Sequence, residues 1–347
     1  MKYNNEEPMK AWFIQKIGPL SRESLILKEV PNPSIGPKEI LIKVKACGVC
    51  HTEIDEIEGR AMVSFLPIIP GHQIVGEVIE VGKEVKKFSI GDLVGVGWIY
   101  DACGNCKYCK EGLENLCKDF KGTGKDAHGG YAEFFKISED FAFHLPKEIM
   151  PEKLAPLLCA GAIGYRALKL VSIKDGDILG LIGFGASNHL VLKLVKKLYP
   201  KVTVFVFTRN PVERELASSL GAEAFELYKE PPQLVSGLID TTPVWKPPFF
   251  YLRYLKPGGR LIINAIRKES QDKDFLQELI YERDFWLEKE IKSVANITRR
   301  DLQEFLELAI KYRIEPEIEI YPFDEAIQAL LDIKSRKIRG AKVLKIS

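Results

Sequence analysis

The sequence predicts an α/β chain in two folded parts, a β-rich barrel of short strands and a doubly wound parallel sheet. Three observations carry this. Up to about residue 150, short Val and Ile runs are broken by Gly-Asp, Pro-Gly and Gly-Lys turns with little helical periodicity. From Asp177 the pattern becomes apolar run, glycine turn, helical stretch and second apolar run, which is a βαβ unit. At 347 residues the chain is long enough to bury two cores.

Residues 1–8 (MKYNNEEP) read as a loose polar tail, and the first apolar run starts at Met9. EILIKV, from Glu39 to Val44, alternates as a half-buried strand does and runs straight into ACGVCHTE. VSFLPIIPGHQIVGEVIEVG and FSIGDLVGVGWI supply further short strands and tight turns, so the polar side chains among them sit on loops. LLCAGAIGYRALKL reads as a helix rich in small residues. ILGLIGF, HLVLKLVKKLY and KVTVFVF follow as strand, helix and strand. SGLIDTT and GGRLIINAI are later strands of the same sheet, with Pro257-Gly258-Gly259 as a turn. After Ser293, TRRDLQEFLELAIKYR is a helix opening on Thr298 as its N-cap, and IEPEIEIYPF, DEAIQALLDIKSRK and AKVLKI give strand, helix and strand.

Hydrophobic residues make up 46% and charged residues 28%, with a formal net charge of +2. The one-signed field of a nucleic-acid or membrane-surface binder is absent, so the expected partners are small molecules, with no nucleic acid and no membrane. No run of about 18 or more apolar residues stands out, and the start carries no signal-peptide pattern; the expectation is a cytoplasmic protein.

The densest chemical signal is CGNCKYCKEGLENLC, which sets Cys103, Cys106, Cys109 and Cys117 as CxxCxxCx7C. Four thiolates on a short loop can close a tetrahedron around Zn2+ and leave no position for water or substrate, which describes a structural site. An iron-sulfur cluster, paired disulfides and free surface thiols are the competing readings. Ferredoxin-type runs space their last Cys differently, and the remaining cysteines are few and scattered. Cys50 and His72 lie on turns beside strands, and Cys159 opens the small-residue helix. Two thiolates, an imidazole and an open fourth position describe a catalytic zinc site, although singly each is as readily a packed thiol or a hydrogen-bonded turn residue.

In the βαβ unit, Gly183, Gly185 and Asn188 stand where a GxGxxG turn puts its glycines, the third replaced by Asn. The two glycines let the turn close and a pyrophosphate approach the backbone at a helix N-terminus, while Asn188 is expected to cost only tight helix-to-strand packing. A carboxylate ending the second strand would accept hydrogen bonds from a ribose 2'-OH and repel a 2'-phosphate. Thr208 stands there instead, followed by Arg209 and Arg214, which predicts a slight preference for NADP(H) over NAD(H).

GVCHTE, PGHQIVGEVIEVGKEV, FSIGDLV, YDACGNCKYC, HGGYAEF and LLCAGAIGYRALK occur in the order and approximate spacing of the zinc-containing medium-chain alcohol dehydrogenases, and the sequence resembles that family over nearly its whole length. The resemblance implies a GroES-like β-barrel catalytic domain, discontinuous over residues 1–155 and 292–347, and a Rossmann dinucleotide-binding domain over 156–291. It implies two Zn2+ per chain: a catalytic ion on Cys50, His72 and Cys159, and a structural ion on the four clustered cysteines. Of the seven cysteines only Cys47 is then left over, as a packed thiol. It also implies reversible hydride transfer between an alcohol and a nicotinamide cofactor, with an aldehyde or ketone in reverse. The Thr52 hydroxyl would take the alcohol proton and pass it, by way of the nicotinamide ribose, towards His51. Trp98 would line the substrate pocket, and the assembly would be a homodimer or homotetramer.

Three positions depart from the family pattern. The usual Glu after the zinc-binding His is Gln73, which cannot act as an anionic ligand, and the usual Asp three residues after the first ligand Cys is Glu53. Both lie beside ligands, where outer carboxylates orient and tune them. The family's pyrophosphate-binding Arg near the end falls at Ala341, with Arg339 as a candidate substitute. The alternative reading is a zinc-free quinone-type reductase or a non-enzymatic nucleotide-binding relative; relatives without catalytic zinc lack the three ligands.

Overall fold

The computed structural model describes residues 7–335 and 340–347; part of the polar start and Arg339 lie outside them. The chain begins with a hairpin of β1 (Met9–Ile14) and β2 (Leu25–Val30). The long strand β3 (Glu39–Val49) then runs directly into helix α1 (His51–Ile57). Strands β4 (Ile74–Val81), β5 (Leu93–Val96) and β6 (Ile99–Asp101) precede the one-turn helix α2 (Lys107–Lys110). After β7 (Lys121–Gly122), β8 (Phe134–Ser138), β9 (Ala142–His144) and α3 (Pro151–Leu154) comes α4 (Ala160–Val171). The alternation β10 (Ile178–Ile182), α5 (Ala186–Leu198), β11 (Thr203–Phe207), α6 (Pro211–Ser219) and β12 (Glu223–Phe225) follows. It continues through β13 (Val235–Asp240), α7 (Lys246–Tyr251), β14 (Leu255–Ile263) and β15 (Glu290–Ser293). Helix α8 (Arg299–Tyr312), β16 (Ile318–Pro322), α9 (Ala326–Lys334) and β17 (Ala341–Lys345) complete the chain.

Two compact units result, one of Met1–Cys159, Ile297–Leu306 and Glu315–Ser347, the other of Ala160–Asn296 and Glu307–Ile314. In the first, the sheet order is β16-β17-β3-β4-β5-β9, with β8 pairing β3. The β3–β4 register shifts between Leu41 and Ile42 and again between Val44 and Ala46. Such bulges bend a strand and re-aim its side chains, which curls the sheet around Ile40, Ile42, Val44, Ile74, Val78 and Phe135. The predicted strand from Glu39 is present and longer than its alternating segment, because ACGV continues it almost fully buried.

The second unit is a six-stranded parallel sheet ordered β12-β11-β10-β13-β14-β15. Its central strand β10, ILGLI, is buried at every residue, as expected of a strand covered on both faces. Strand order reverses beside β10, and in open parallel sheets ligands bind outside the carboxyl ends of the strands at such a point. Gly164 lets α4 pack on α5: a Cβ there would stand 2.7 Å from Val191 Cγ2.

Two local features depart from the sequence expectation. His51 and Thr52 lie on a helix and not on a turn, since Cys50 itself caps α1, with its sulfur accepting from the Thr52 N–H. The stretch Pro151–Val171 is long and apolar enough to cross a membrane by length and composition, with mean hydropathy 1.4, but 67% of its most apolar window is buried inside the fold. Core helices pass the same test, and Glu152, Lys153, Arg166 and Lys169 interrupt the run.

Candidate active site and metal centres

Three elements far apart in sequence bring the first donor set together. β3 delivers Cys50 at its end, the turn before β4 carries His72, and Cys159 stands immediately before α4. His72 Nε2 lies 3.7 Å from Cys50 Sγ and 3.2 Å from Cys159 Sγ, and all three donor atoms fall within 4.8 Å of one another. Around a tetrahedral zinc with bonds of about 2.3 Å to sulfur and about 2.0 Å to nitrogen, donors stand about 3.6–3.8 Å apart. The geometry fits such an ion, and so does the chemistry. Contact with Cys159, then burial, pushes the Cys50 thiol well above its ordinary value. Burial opposes a charge on His72, but Glu53 and Cys50 outweigh it and hold that group well above its ordinary value. A divalent cation bound among these donors would supply the positive charge that favours thiolates and a neutral imidazole.

The surrounding residues fix this set. Glu53, fully buried, places Oε1 2.8 Å from His72 Nδ1 and accepts the Cys50 N–H at Oε2, also at 2.8 Å. One carboxylate thereby touches two candidate ligands. Trp98 is buried and meets the His72 ring edge-on, with centroids 4.8 Å apart. Gln73 is buried, and its amide occupies the space beside Gly48: a Cβ at Gly48 would stand 2.5 Å from Gln73 Oε1. Gly71 has φ +96° and is packed so closely that a Cβ would lie 2.3 Å from Tyr131 Cδ1. Only glycine adopts that conformation and leaves that room. Neither glycine is legible as a site residue in the sequence, because each requirement comes from a side chain distant in sequence. Thr52 is half-buried and His51 exposed at the start of α1.

The second donor set is local. Cys103, Cys106, Cys109 and Cys117 bring their sulfurs within 4.8 Å of one another, with Cys103 Sγ 3.9 Å from Cys109 Sγ and 3.5 Å from Cys117 Sγ. Gly104 at φ +72° turns the loop, and the N–H groups of Asn105 and Cys106 aim at Cys103, which lowers its thiol to about 7. Desolvation and then Cys106 push Cys109 up to about 12. Four sulfurs this close would repel one another as thiolates unless a cation stood among them, and an all-sulfur set suits zinc. Buried Glu114 ties this loop to the start of α8, accepting from Arg299 N at 2.8 Å and Arg299 Nε at 2.9 Å.

In the parallel-sheet unit, Gly183 at φ +77° closes the turn after β10, and Gly185 caps α5 with nothing within 4 Å of where a Cβ would be. That open backbone at a helix start fits a pyrophosphate. Asn188 does more than loosen packing. Its buried amide donates to Ile182 O, Gly183 O and Thr241 Oγ1 at 3.3, 2.8 and 3.2 Å, stitching the glycine turn to the end of β13. At the end of β11, Arg214 Nη1 donates to Thr208 O at 2.8 Å, whereas Arg209 is exposed.

Residues 36–147 match the family model described as the alcohol dehydrogenase GroES-like domain. The chain is 40% identical over 346 residues to a probable alcohol dehydrogenase AdhA of Mycobacterium tuberculosis, covering 97% of each chain. Among solved structures it is similar to a cinnamyl alcohol dehydrogenase from Sorghum bicolor, with TM-score 0.86, 27% identity and 98% coverage of both chains. It is also similar to CAD from Helicobacter pylori complexed with NADP(H), with TM-score 0.85, 28% identity and 98% coverage of both. Barrel, parallel sheet and donor sets define a zinc-dependent oxidoreductase that uses a nicotinamide cofactor. The chain belongs to the zinc-containing medium-chain alcohol dehydrogenase family.

Proposed function

We propose that this alcohol dehydrogenase holds two zinc ions per chain, and that Cys50, His72 and Cys159 form the centre at which small alcohols, or aldehydes and ketones in reverse, react. The convergence of three donors separated by 22 and 87 residues on one cluster carries the reading. Zinc held there would supply Lewis acidity at the reacting oxygen, and a nicotinamide cofactor bound at the glycine turn would supply the hydride chemistry.

The chain's own groups prepare the centre. Glu53 holds the proton of His72 on Nδ1, so that Nε2 keeps its lone pair for the ion. Its bond to the Cys50 N–H fixes the cap from which the sulfur projects, and donation from the Thr52 N–H favours the thiolate. The Thr52 hydroxyl receives the alcohol proton at Oγ1, and the adjacent exposed His51 exchanges it with solvent. Gln73, neutral and packed on Gly48, positions the His72 turn without serving as a ligand. Trp98 walls the centre and keeps water from the ring of His72.

The four-cysteine loop holds the structural ion. The catalytic domain comprises residues 1–155 and 292–347 and the nucleotide domain residues 156–291; the gathering of Met1–Cys159 with two later segments in one unit supports this. Gly183, Gly185, Thr208, Arg209 and Arg214 bind the dinucleotide with a slight preference for NADP(H). Support comes from the absence of a carboxylate on Thr208, the exposed Arg209 and the NADP(H) complex of the Helicobacter relative. The enzyme acts in the cytoplasm as a homodimer or homotetramer.

A panel of alcohols and aldehydes run with both cofactors, with zinc measured on the same sample, tests this. The expected result is turnover that is lost with zinc, and a kcat/KM ratio of NADPH to NADH above one. A ratio below one overturns the cofactor preference, and full turnover without zinc overturns the centre.

A further inference from the structure

The carboxylate missing from the end of β11 is present in space. Glu213, at the third position of α6, turns back and accepts a hydrogen bond from Thr208 Oγ1 at 2.5 Å. It also accepts from the backbone N–H of Phe184, between the two glycines of the turn, and from the side chain of Asn210. Asn210 is the N-cap of α6, so the bond from its side chain is local to the helix start. The bonds from Thr208 and Phe184 are not local to the helix, since those residues belong to the end of a neighbouring strand and to the glycine turn. Three donors converging on one carboxyl describe an anion. Burial pushes Glu213 above its ordinary value, and the donors and Arg209 pull it back.

We infer that Glu213 is the residue that sets the balance between NADP(H) and NAD(H): its carboxylate faces the end of β11, where it opposes a 2'-phosphate and can accept from a 2'-hydroxyl, against the pull of Arg209. This rests on the reading that the glycine turn binds a nicotinamide dinucleotide. It explains why a strand ending in Thr208 and Arg209 gives only a slight preference. The two arginines are not equivalent in this balance, because Arg214 is already engaged by the Thr208 carbonyl. Arg209 is the cation left at the surface to meet a phosphate.

The test uses the zinc-loaded enzyme and Glu213→Gln, which keeps a hydrogen-bond acceptor and the side-chain shape but removes the charge. Dissociation constants for adenosine 2',5'-bisphosphate and for AMP are measured by calorimetry, alongside kcat/KM for NADPH and NADH. The variant is expected to bind the bisphosphate about tenfold more tightly relative to AMP and to raise the NADPH to NADH ratio similarly, mostly through KM. A change of less than about twofold in both, in a variant with unaltered melting temperature, makes Glu213 a helix cap only and overturns the inference. Should Glu213→Gln unfold, Arg209→Ala tests the same balance from the other side and must shift both ratios towards AMP and NADH. A parent ratio below one with a tenfold response in the variant sinks the NADP(H) preference and leaves the Glu213 inference standing. Binding of neither adenosine ligand sinks the dinucleotide reading beneath both.

Discussion

The two sulfur-rich sites of the barrel are built in opposite ways. Cys103, Cys106, Cys109 and Cys117 are gathered by one loop, with Gly104 and nearby N–H groups setting their positions. Cys50, His72 and Cys159 are gathered only when β3, the turn before β4 and the segment before α4 are already packed. On the proposed reading an ion at the local site would lock the shape of its loop, whereas the long-range site inherits its shape from the barrel. Removing a ligand should loosen the structure in the first case and silence the chemistry in the second.

The sharpest break in the comparison is Cys159→Ser, which should lower kcat/KM by about a thousandfold or more while leaving circular dichroism and melting temperature near the parent's. Cys106→Ser should do the reverse. Its melting temperature should fall on the order of 10 °C, with turnover at low temperature largely retained. If both variants lost activity and stability together, the division of labour would be wrong. Glu53→Gln removes the carboxylate shared by His72 and the Cys50 N–H, and kcat/KM should drop about 10 to 100-fold with little change in stability. Glu114→Ala frees Arg299 from the cysteine loop and should cost about 1–3 kcal/mol in a denaturant titration, with turnover unchanged.

The smallest effect concerns Glu56, fully buried one turn after Glu53, with neither carboxyl oxygen hydrogen-bonded. Burial, then the charge of Glu53, pushes it well above its ordinary value. A carboxyl raised in the folded state leaves stability intact below its unfolded value, and stability is lost as the pH climbs towards the folded one. Glu56→Gln, neutral throughout, should therefore melt higher than the parent at neutral pH, and the gap should close in acid. A gap independent of pH would show that Glu56 carries no titration of this kind.

Much of this was legible in the sequence, and the physical reasons separate what was from what was not. The CxxCxxCx7C spacing is a local property, and so is the alternation of EILIKV or the apolar run ILGLIGF, because each element's environment is written in its own residues. The three long-range candidate ligands, singly ambiguous, become a set only through resemblance to a family. Helix α1 escaped notice because it is seven residues long and its cap is a cysteine, outside the usual capping residues. Gly48, Gly71 and Glu213 could not be read at all. Their roles depend on Gln73, Tyr131 and Thr208 reaching them across the fold, and no periodicity encodes such meetings. The role of Asn188 is hidden for the same reason, since its three hydrogen-bond acceptors lie at the end of β10, in the glycine turn and just past β13.

The most direct test of two separately built zinc sites is the zinc content per chain of protein never exposed to chelator, measured on the parent, Cys159→Ser and Cys106→Ser. Two ions in the parent and about one in each variant, with the inactive variant still folded and the less stable one still active, is the predicted result. One ion or none in the parent, or two retained in an active Cys159→Ser, would contradict it.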